Sequence, residues 1–486
     1  MTPPRRQLGF AITAAIVVAN MIGTGVFTSA GFQAHDLHDP ATILIAWVVG
    51  GVLALCGAAT YAELGAMMPS AGGEYVYLRE AYHPAVGFMS GWVSLTAGFS
   101  APIAVSALAF STYLAKLVPG VASDATWLSA HLDVSGHGVT VALGIKQAVA
   151  IGLIAVITAM HAFDTRLGGR VQAGFTVAKV LLIIGFVGGG LVFGSGDWHN
   201  LRSQHGGLAN VGTPSFAMAL MYVSFAYSGW NAAGYVASEV ERPGKTLPRA
   251  LLAGTGIVMA LYVLLNLVFL YAVPSDTLAG PTTGGSPIVE VGDAAARQLF
   301  GDRAGQLVAS VIALALVSAV SAMVMAGPRV YAAMAADRAL PRQLAYHSKR
   351  GVPTVAVIAQ GVLGILFVLV GDLGQLIRFA GFTLALFAAL TVTALFVLRA
   401  RGRRAPYRTF GYPVTPILFI TLSGWIACAQ LKEHFWESLV VVGVLAVGGL
   451  LYGMFGRRSA SPPPVACLAS GSARRRRSGR PVTRSS

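Results

Sequence analysis

Charge is what this chain has least of. Asp, Glu, Lys and Arg make up 11% of its 486 residues, while 55% are hydrophobic and the mean hydropathy is +0.68. A soluble domain carries about 25% charged residues, so a soluble globular fold is excluded and a polytopic membrane protein is implied. Cysteine is almost as scarce. Cys56 and Cys428 lie in apolar runs and Cys467 lies near the C-terminus, a pattern that excludes a disulfide framework or a metal-binding spacing. None of the five asparagines (Asn20, Asn200, Asn210, Asn231, Asn266) has Ser or Thr two residues on, so no N-glycosylation acceptor is present. A Gly-rich phosphate loop, a zinc motif and a nucleophile elbow are missing too, and no cofactor or enzymatic chemistry is expected.

What remains is apolar sequence in long runs. About 20 residues cross one bilayer. Twelve spans are predicted over residues 9–33, 41–66, 84–118, 139–161, 169–194, 213–237, 246–273, 304–335, 353–371, 374–399, 413–430 and 435–455. Arg5-Arg6, the following apolar run and Ser29-Ala30 together mimic a cleaved leader. Removing it would leave eleven spans, so the arginine pair is read as a cytoplasmic anchor. With the N-terminus inside, 26 Lys and Arg fall on the cytoplasmic side and 7 outside, and Lys179 lies within a span. This asymmetry places both termini in the cytoplasm and accounts for the net charge of +15 without nucleic acid.

The expected organisation is a short N-terminus (1–8), one transmembrane domain (9–456) and a basic tail (457–486) that composition makes disordered. Its arginines are read as retaining the topology, with contact to anionic lipid as the sharper alternative. Residues 69–84, with Tyr75, Tyr77, Leu78, Ala81 and Tyr82 on one side, read as an amphipathic helix at the interface. The loop 274–303 is expected to become helical from Val289.

Two spans carry interruptions. Gly23-Thr24-Gly25 sits in the first, and Ser228-Gly229 in the sixth. In hydrocarbon every backbone N–H and C=O needs a partner, so an unwound turn is tolerated only beside protein or a water-filled cavity. Paired breaks in corresponding spans point to a transporter binding site. For Gly23 and Gly25 alone, close helix packing is the simpler account; the matching break tips the reading to a site.

Several strings then resemble the amino acid–polyamine–organocation (APC) superfamily, in particular its L-amino-acid transporter-like bacterial permeases. They are Gly23-Thr24-Gly25-Val26-Phe27, PSAGGEYVYLREAY (69–82), FAYSGWN (225–231) with Glu239, Pro243 and LPRAL (247–251), GPRVYAAMAADRALP (327–341) and PYRTFGYPVTPILF (406–419). The resemblance runs from residue 9 to about 455. It implies an all-α LeuT-like fold, with helices 1–5 (9–195) and 6–10 (213–400) as inverted repeats and helices 11 and 12 (413–455) peripheral.

The resemblance also implies a site. An amino acid offers a carboxylate and an ammonium, and the two ends of an unwound helix offer N–H and C=O groups of matching sign. The amides around Gly23, Thr24 and Gly25, with the Thr24 hydroxyl, would hold the carboxylate. The carbonyls of Met21, Phe225 and Ser228 would hold the ammonium. Thr24 stands where the family has Ser, so the hydroxyl is kept and a methyl is added. Phe225 resembles the family's gate above the substrate, although spacing alone would make it core. Asn231 is either a structural pin or a polar group of the pocket. Lys179, an intramembrane cation, is a functional hypothesis by default; snorkelling towards Arg170 is the alternative. By resemblance it occupies the sodium position of sodium-coupled relatives, bridging carbonyls near Gly23 to Ser318 or Ser321.

Glu63, Glu74, Glu239, Glu241 and Arg329 read as ion pairs of an inner gate or as a solvated face. No acid lies within either break, which disfavours a cationic pocket unless a carboxylate arrives from another helix. The expectation is a sodium-independent amino acid permease, neutral L-amino acids first, with exchange and proton symport both open and no obligatory partner subunit. A cationic amino acid or polyamine antiporter is the first alternative. A transporter-like sensor without turnover is an alternative of another class, against which stand the paired breaks and the gate.

Overall fold

The structure is a computed structural model that describes residues 8–455, except 71, 122–124, 135–136, 164, 204–205, 281–286 and 349. The basic tail lies outside the described residues. The first span is two helices, α1 (Phe10–Met21) and α2 (Thr24–Leu37). Asp39 caps α3 (Pro40–Met67), accepting from the Thr42 amide at 2.8 Å. α4 (Glu74–Ala81) leads to α5 (Pro84–Val93), which continues through a π-helical stretch, Ser94–Ser100, into α6 (Ala101–Ala115). A hairpin of β1 (Thr126–Val134) and β2 (His137–Gly144) precedes α7 (Ile145–Phe163) and α8 (Thr165–Phe193).

The second half repeats the plan. It begins with α9 (Pro214–Tyr227), the single turn α10 (Ala232–Tyr235) and α11 (Pro243–Ala272). Short α12 (Ser275–Ala279) and α13 (Val291–Phe300) cover the loop that follows. α14 (Asp302–Ala326) runs into α15 (Pro328–Ala336), followed by α16 (Thr354–Val370), α17 (Leu373–Ala400), α18 (Val414–Glu433) and α19 (Phe435–Phe455). Among the described residues ten helical runs are long and apolar enough to cross a membrane, and the shorter apolar helices Pro214–Tyr227 and Thr354–Val370 bring the number to the expected twelve.

Packing follows the repeat. α2 packs on α9, α3 on α11, α6 on α14 and α7 on α16. The first four spans thus each meet the span five places later, the pairing of two interlocked repeats, while α8 packs on α14 and α11. The third run is 83% buried over its most apolar stretch and the last only 17%, so the twelfth span is peripheral, as the LeuT-like fold requires.

Two expectations are corrected. The fourth span begins at Ile145 rather than 139, because residues 137–144 pair with 126–134 as an antiparallel ribbon. The alternating apolar run Val139, Val141, Leu143 is strand material rather than the start of a helix. Residues 74–81 form a helix, but not one lying in the interface. Tyr75, Tyr77, Leu78 and Ala81 are all buried against protein, and α4 is packed on α5 and α17. The loop 274–303 is helical from Val291, with α12 before it.

Candidate binding site at the paired helix breaks

The first break is made by two residues. Ile22 (φ −72°, ψ 88°) ends α1 and Gly23 (φ −130°, ψ −152°) is extended. α2 therefore starts inside the bundle, with its first amides lacking intrahelical partners. Only the Met21 carbonyl lies near the place a Gly23 side chain would occupy, so space is open there, whereas a Cβ on Gly25 would meet Ala226 Cβ at 2.7 Å. Gly25 is thus small because α2 and α9 touch, and Gly23 borders open space.

The carbonyls freed by the break have partners. Tyr262 on α11 donates its hydroxyl to Met21 O at 2.6 Å. Lys179 on α8, only 1% exposed, donates from Nζ to Ile22 O at 3.0 Å. Its ammonium meets the turn beside Gly23 instead of reaching for solvent, which is not a snorkelling geometry. The Thr24 hydroxyl shares a 2.6 Å hydrogen bond with Ser106 Oγ on α6. Of the two serines offered as partners of Lys179, Ser321 sits 2.8 Å from His161 Nε2, and Ser318 is fully buried on the same helix.

The second break turns on Gly229. Its φ of +98° lies in the left-handed region that glycine adopts without steric penalty, and a Cβ there would stand 2.7 Å from Asn20 O of α1. Ser228 closes α9 by donating its amide to Phe225 O at 3.0 Å. Phe225 is buried at the end of α9, with its Cβ facing the Gly381 position on α17.

Beside this break lies a cavity of about 110 Å³. Its wall includes Asn20, Ser228, Gly229, Trp230 and Asn231, with Phe99, Tyr235, Leu384 and Phe419 supplying aromatic and apolar surface. Of the expected site residues, Ser228 and Asn231 line it; Met21, Gly23, Thr24, Gly25 and Phe225 do not.

One wall residue carries a charge the sequence did not place there. Glu74, 5% exposed, accepts at Oε1 from Tyr61 Oη at 2.7 Å and from Asn231 Nδ2 at 2.8 Å. It is neither solvated nor ion-paired: among the described residues no Lys or Arg comes within 4.0 Å. Asn231 pins α10 to α4 and faces the cavity as well. Tyr262 was also missed. Its signal is a lone hydroxyl amid GIVMALYVLLNL, which needs an acceptor in hydrocarbon.

Charges at the helix ends divide by side. On the side where α1 begins, Glu63 holds Arg399 at 2.6 and 2.9 Å and accepts from the Thr409 amide and hydroxyl. Glu239 meets Arg329 at 3.4 Å, and Arg79 meets Asp337 at 2.5 Å. Leu8 joins α1 to this layer by backbone bonds with Glu239 and Glu241. On the opposite side α2 seals against α9: Ser29 Oγ donates to Tyr222 O and Gln33 Nε2 to Ala219 O. There Arg378 forks onto Glu437 with two 2.7 Å bonds.

Two broken helices crossing at Asn20 and Gly229, with a buried ammonium on one freed carbonyl, now stand beside the comparisons. The sequence model of the family described as "Amino acid permease" matches residues 8–449. The chain belongs to this family, within the APC superfamily. Among similar permeases, the serine/threonine exchanger SteT of Bacillus subtilis is 29% identical over 94% of this chain and 98% of its own length. The human b(0,+)-type amino acid transporter 1 is 28% identical over 93% of this chain and 88% of its own. The human large neutral amino acids transporter small subunit 2 is 28% identical over 90% and 78%. The relatives are transporters, and this permease is an integral membrane transporter rather than an enzyme.

Proposed function

We propose that this protein is a sodium-independent permease for neutral L-amino acids, working by alternating access, as exchanger or proton symporter, in a bacterial inner membrane with both termini in the cytoplasm. The observation that carries the reading is the Lys179 ammonium on Ile22 O at 3.0 Å. A fixed cation at the first break satisfies a carbonyl that would otherwise be free to ligate sodium. The amino acid head binds between the two breaks, its carboxylate taking the amides at the start of α2 and its ammonium taking carbonyls from Met21, Phe225 and Ser228. Met21 O and Phe225 O each hold one donor already, and a carbonyl's second lone pair serves the cargo. Phe225, near the C-terminal end of α9, closes the outer side. Serine/threonine and large neutral amino acid specificities named for the relatives support a neutral cargo. The K/R asymmetry supports the orientation.

The alternative, a cationic amino acid or polyamine antiporter, is favoured by Glu74 on the cavity wall. Counterflow in proteoliposomes separates the two. Exchange of serine, alanine or leucine in sodium-free buffer is expected; a preference for lysine or putrescine establishes the alternative. A thermal-shift screen over both classes gives the same answer through binding, since a ligand of the native state raises its apparent stability. Binding of an amino acid without any counterflow would point to a sensor.

A further inference from the structure

Several carboxylates in this permease are held by an arginine. Arg399 holds Glu63, Arg378 holds Glu437, and Arg297 holds Asp293. Glu74 differs. It is 5% exposed, on the cavity wall, and both of its hydrogen-bond partners, Tyr61 and Asn231, are neutral. Burying a carboxylate without a counter-charge is costly unless it is neutralised. A proton or a passing cation must do this.

The surroundings decide between them. An ammonium group brings three donors and requires acceptors around it. The groups bonded to Glu74 are themselves donors, the Tyr61 hydroxyl and the Asn231 amide, and the same Asn231 amide nitrogen also reaches Tyr235 Oη at 3.2 Å. They favour an anion that alternates with a neutral acid rather than a cage for a second cation. The charged groups on the packed elements are engaged elsewhere. Arg79 turns to Asp337 and Glu80, Arg399 to Glu63, Arg401 to Glu80 O, and His83 caps α5. Tyr61, Tyr77 and Tyr235 are the titratable groups near its charge. Burial pushes the carboxyl above its ordinary range, and the bonds from Tyr61 and Asn231 pull it back down.

We propose that Glu74 is a proton-binding site of the transport cycle, coupling proton movement to the sixth-span break through Asn231. Asn231 lies two residues after Gly229, so the carboxylate that grips its amide fixes the end of the break. Protonating Glu74 weakens that grip and frees α10 to move. The proton enters and leaves as cargo does, from the cavity, and no bond other than O–H forms or breaks. This assignment rests on the permease reading above.

The test is counterflow and pH-gradient-driven uptake of serine by the full chain in sodium-free proteoliposomes from pH 5.5 to 8. The wild type is expected to slow as pH rises through the Glu74 midpoint, by about tenfold per unit well above it if only the protonated form moves, and to carry one proton per serine. Glu74→Gln mimics the protonated acid. Its rate should no longer depend on pH, and a pH gradient should no longer drive accumulation. Tyr61→Phe removes a donor to the anion and should shift the midpoint to higher pH; this keeps the proposal testable if Glu74→Gln fails to fold. An unchanged pH slope in Glu74→Gln, or an unmoved midpoint in Tyr61→Phe, overturns the proposal while leaving exchange intact. Loss of lysine transport alone in Glu74→Gln would assign the carboxylate to cargo and overturn it as well. Wild-type vesicles with no amino acid counterflow at any pH would overturn both this proposal and the reading beneath it.

Discussion

Replacing Lys179 by methionine separates stability from function. The wild-type ammonium is 1% exposed and makes one charge-assisted bond, to Ile22 O at 3.0 Å. A hydrogen bond to a charged group contributes about 1.5–3 kcal/mol. Placing a lysine near the centre of a membrane helix costs about 2.5–3.5 kcal/mol. Methionine of similar length removes both, so the net change in stability is expected to be about 1 kcal/mol or less, a shift of a few degrees in the unfolding midpoint. Function has no such cancellation. Ile22 O loses its cation, and the turn that positions the α2 amides loses its anchor. If the bond's 1.5–3 kcal/mol is withdrawn from the transport-competent arrangement, exchange falls by about ten- to a hundredfold. The assay pairs sodium-free counterflow with a melting curve in detergent. Near wild-type exchange by a well-folded Lys179→Met protein would refute the reasoning, and so would a large loss of stability with no selective loss of exchange.

Three further substitutions follow from the geometry. Gly229→Ala forces a side chain into a φ of +98° against Asn20 O; a loss of about 1–3 kcal/mol is expected, read as a lowered melting midpoint with transport abolished. Tyr262→Phe removes the donor to Met21 O and should lower stability by about 0.5–1.5 kcal/mol, with the affinity for amino acid changed because that carbonyl faces the break. Arg399→Ala leaves Glu63 buried with Thr409 as its remaining partner, and breaking such a pair costs about 3–5 kcal/mol; Glu63→Gln, which keeps the shape and removes the stranded charge, should be milder in the same melting assay.

The spans were legible because twenty apolar residues in a row have few uses outside a bilayer. The breaks were legible because glycine inside such runs weakens a helix, and Gly229 repays that reading with its positive φ. Gly25 shows the limit: its smallness serves packing on Ala226, a reason that depends on a helix 200 residues away. The identity of the freed carbonyls' partners was half visible. Lys179 stands out in any apolar run, whereas Tyr262 looks like one more aromatic until the break faces it. Spacing offered both Ser318 and Ser321 to Lys179, and it could not show that His161 comes within reach of Ser321.

Glu74 was out of reach of sequence reasoning for a different cause. A carboxylate in a polar loop after two glycines reads as solvated. Its burial requires α4 to fold back between α5 and α17 and to present its first residue to the sixth-span break. The tyrosines of that loop, read as an interfacial face, are what pack it there. The β1–β2 ribbon was hidden in the same way, because its apolar alternation runs directly into the fourth span.

The most direct test is the sodium dependence of neutral amino acid counterflow in purified proteoliposomes. The account predicts full exchange of labelled serine or leucine with sodium replaced throughout by potassium or choline, and strong loss of that exchange in Lys179→Met. Exchange that appears only with sodium and rises steeply with its concentration would contradict it.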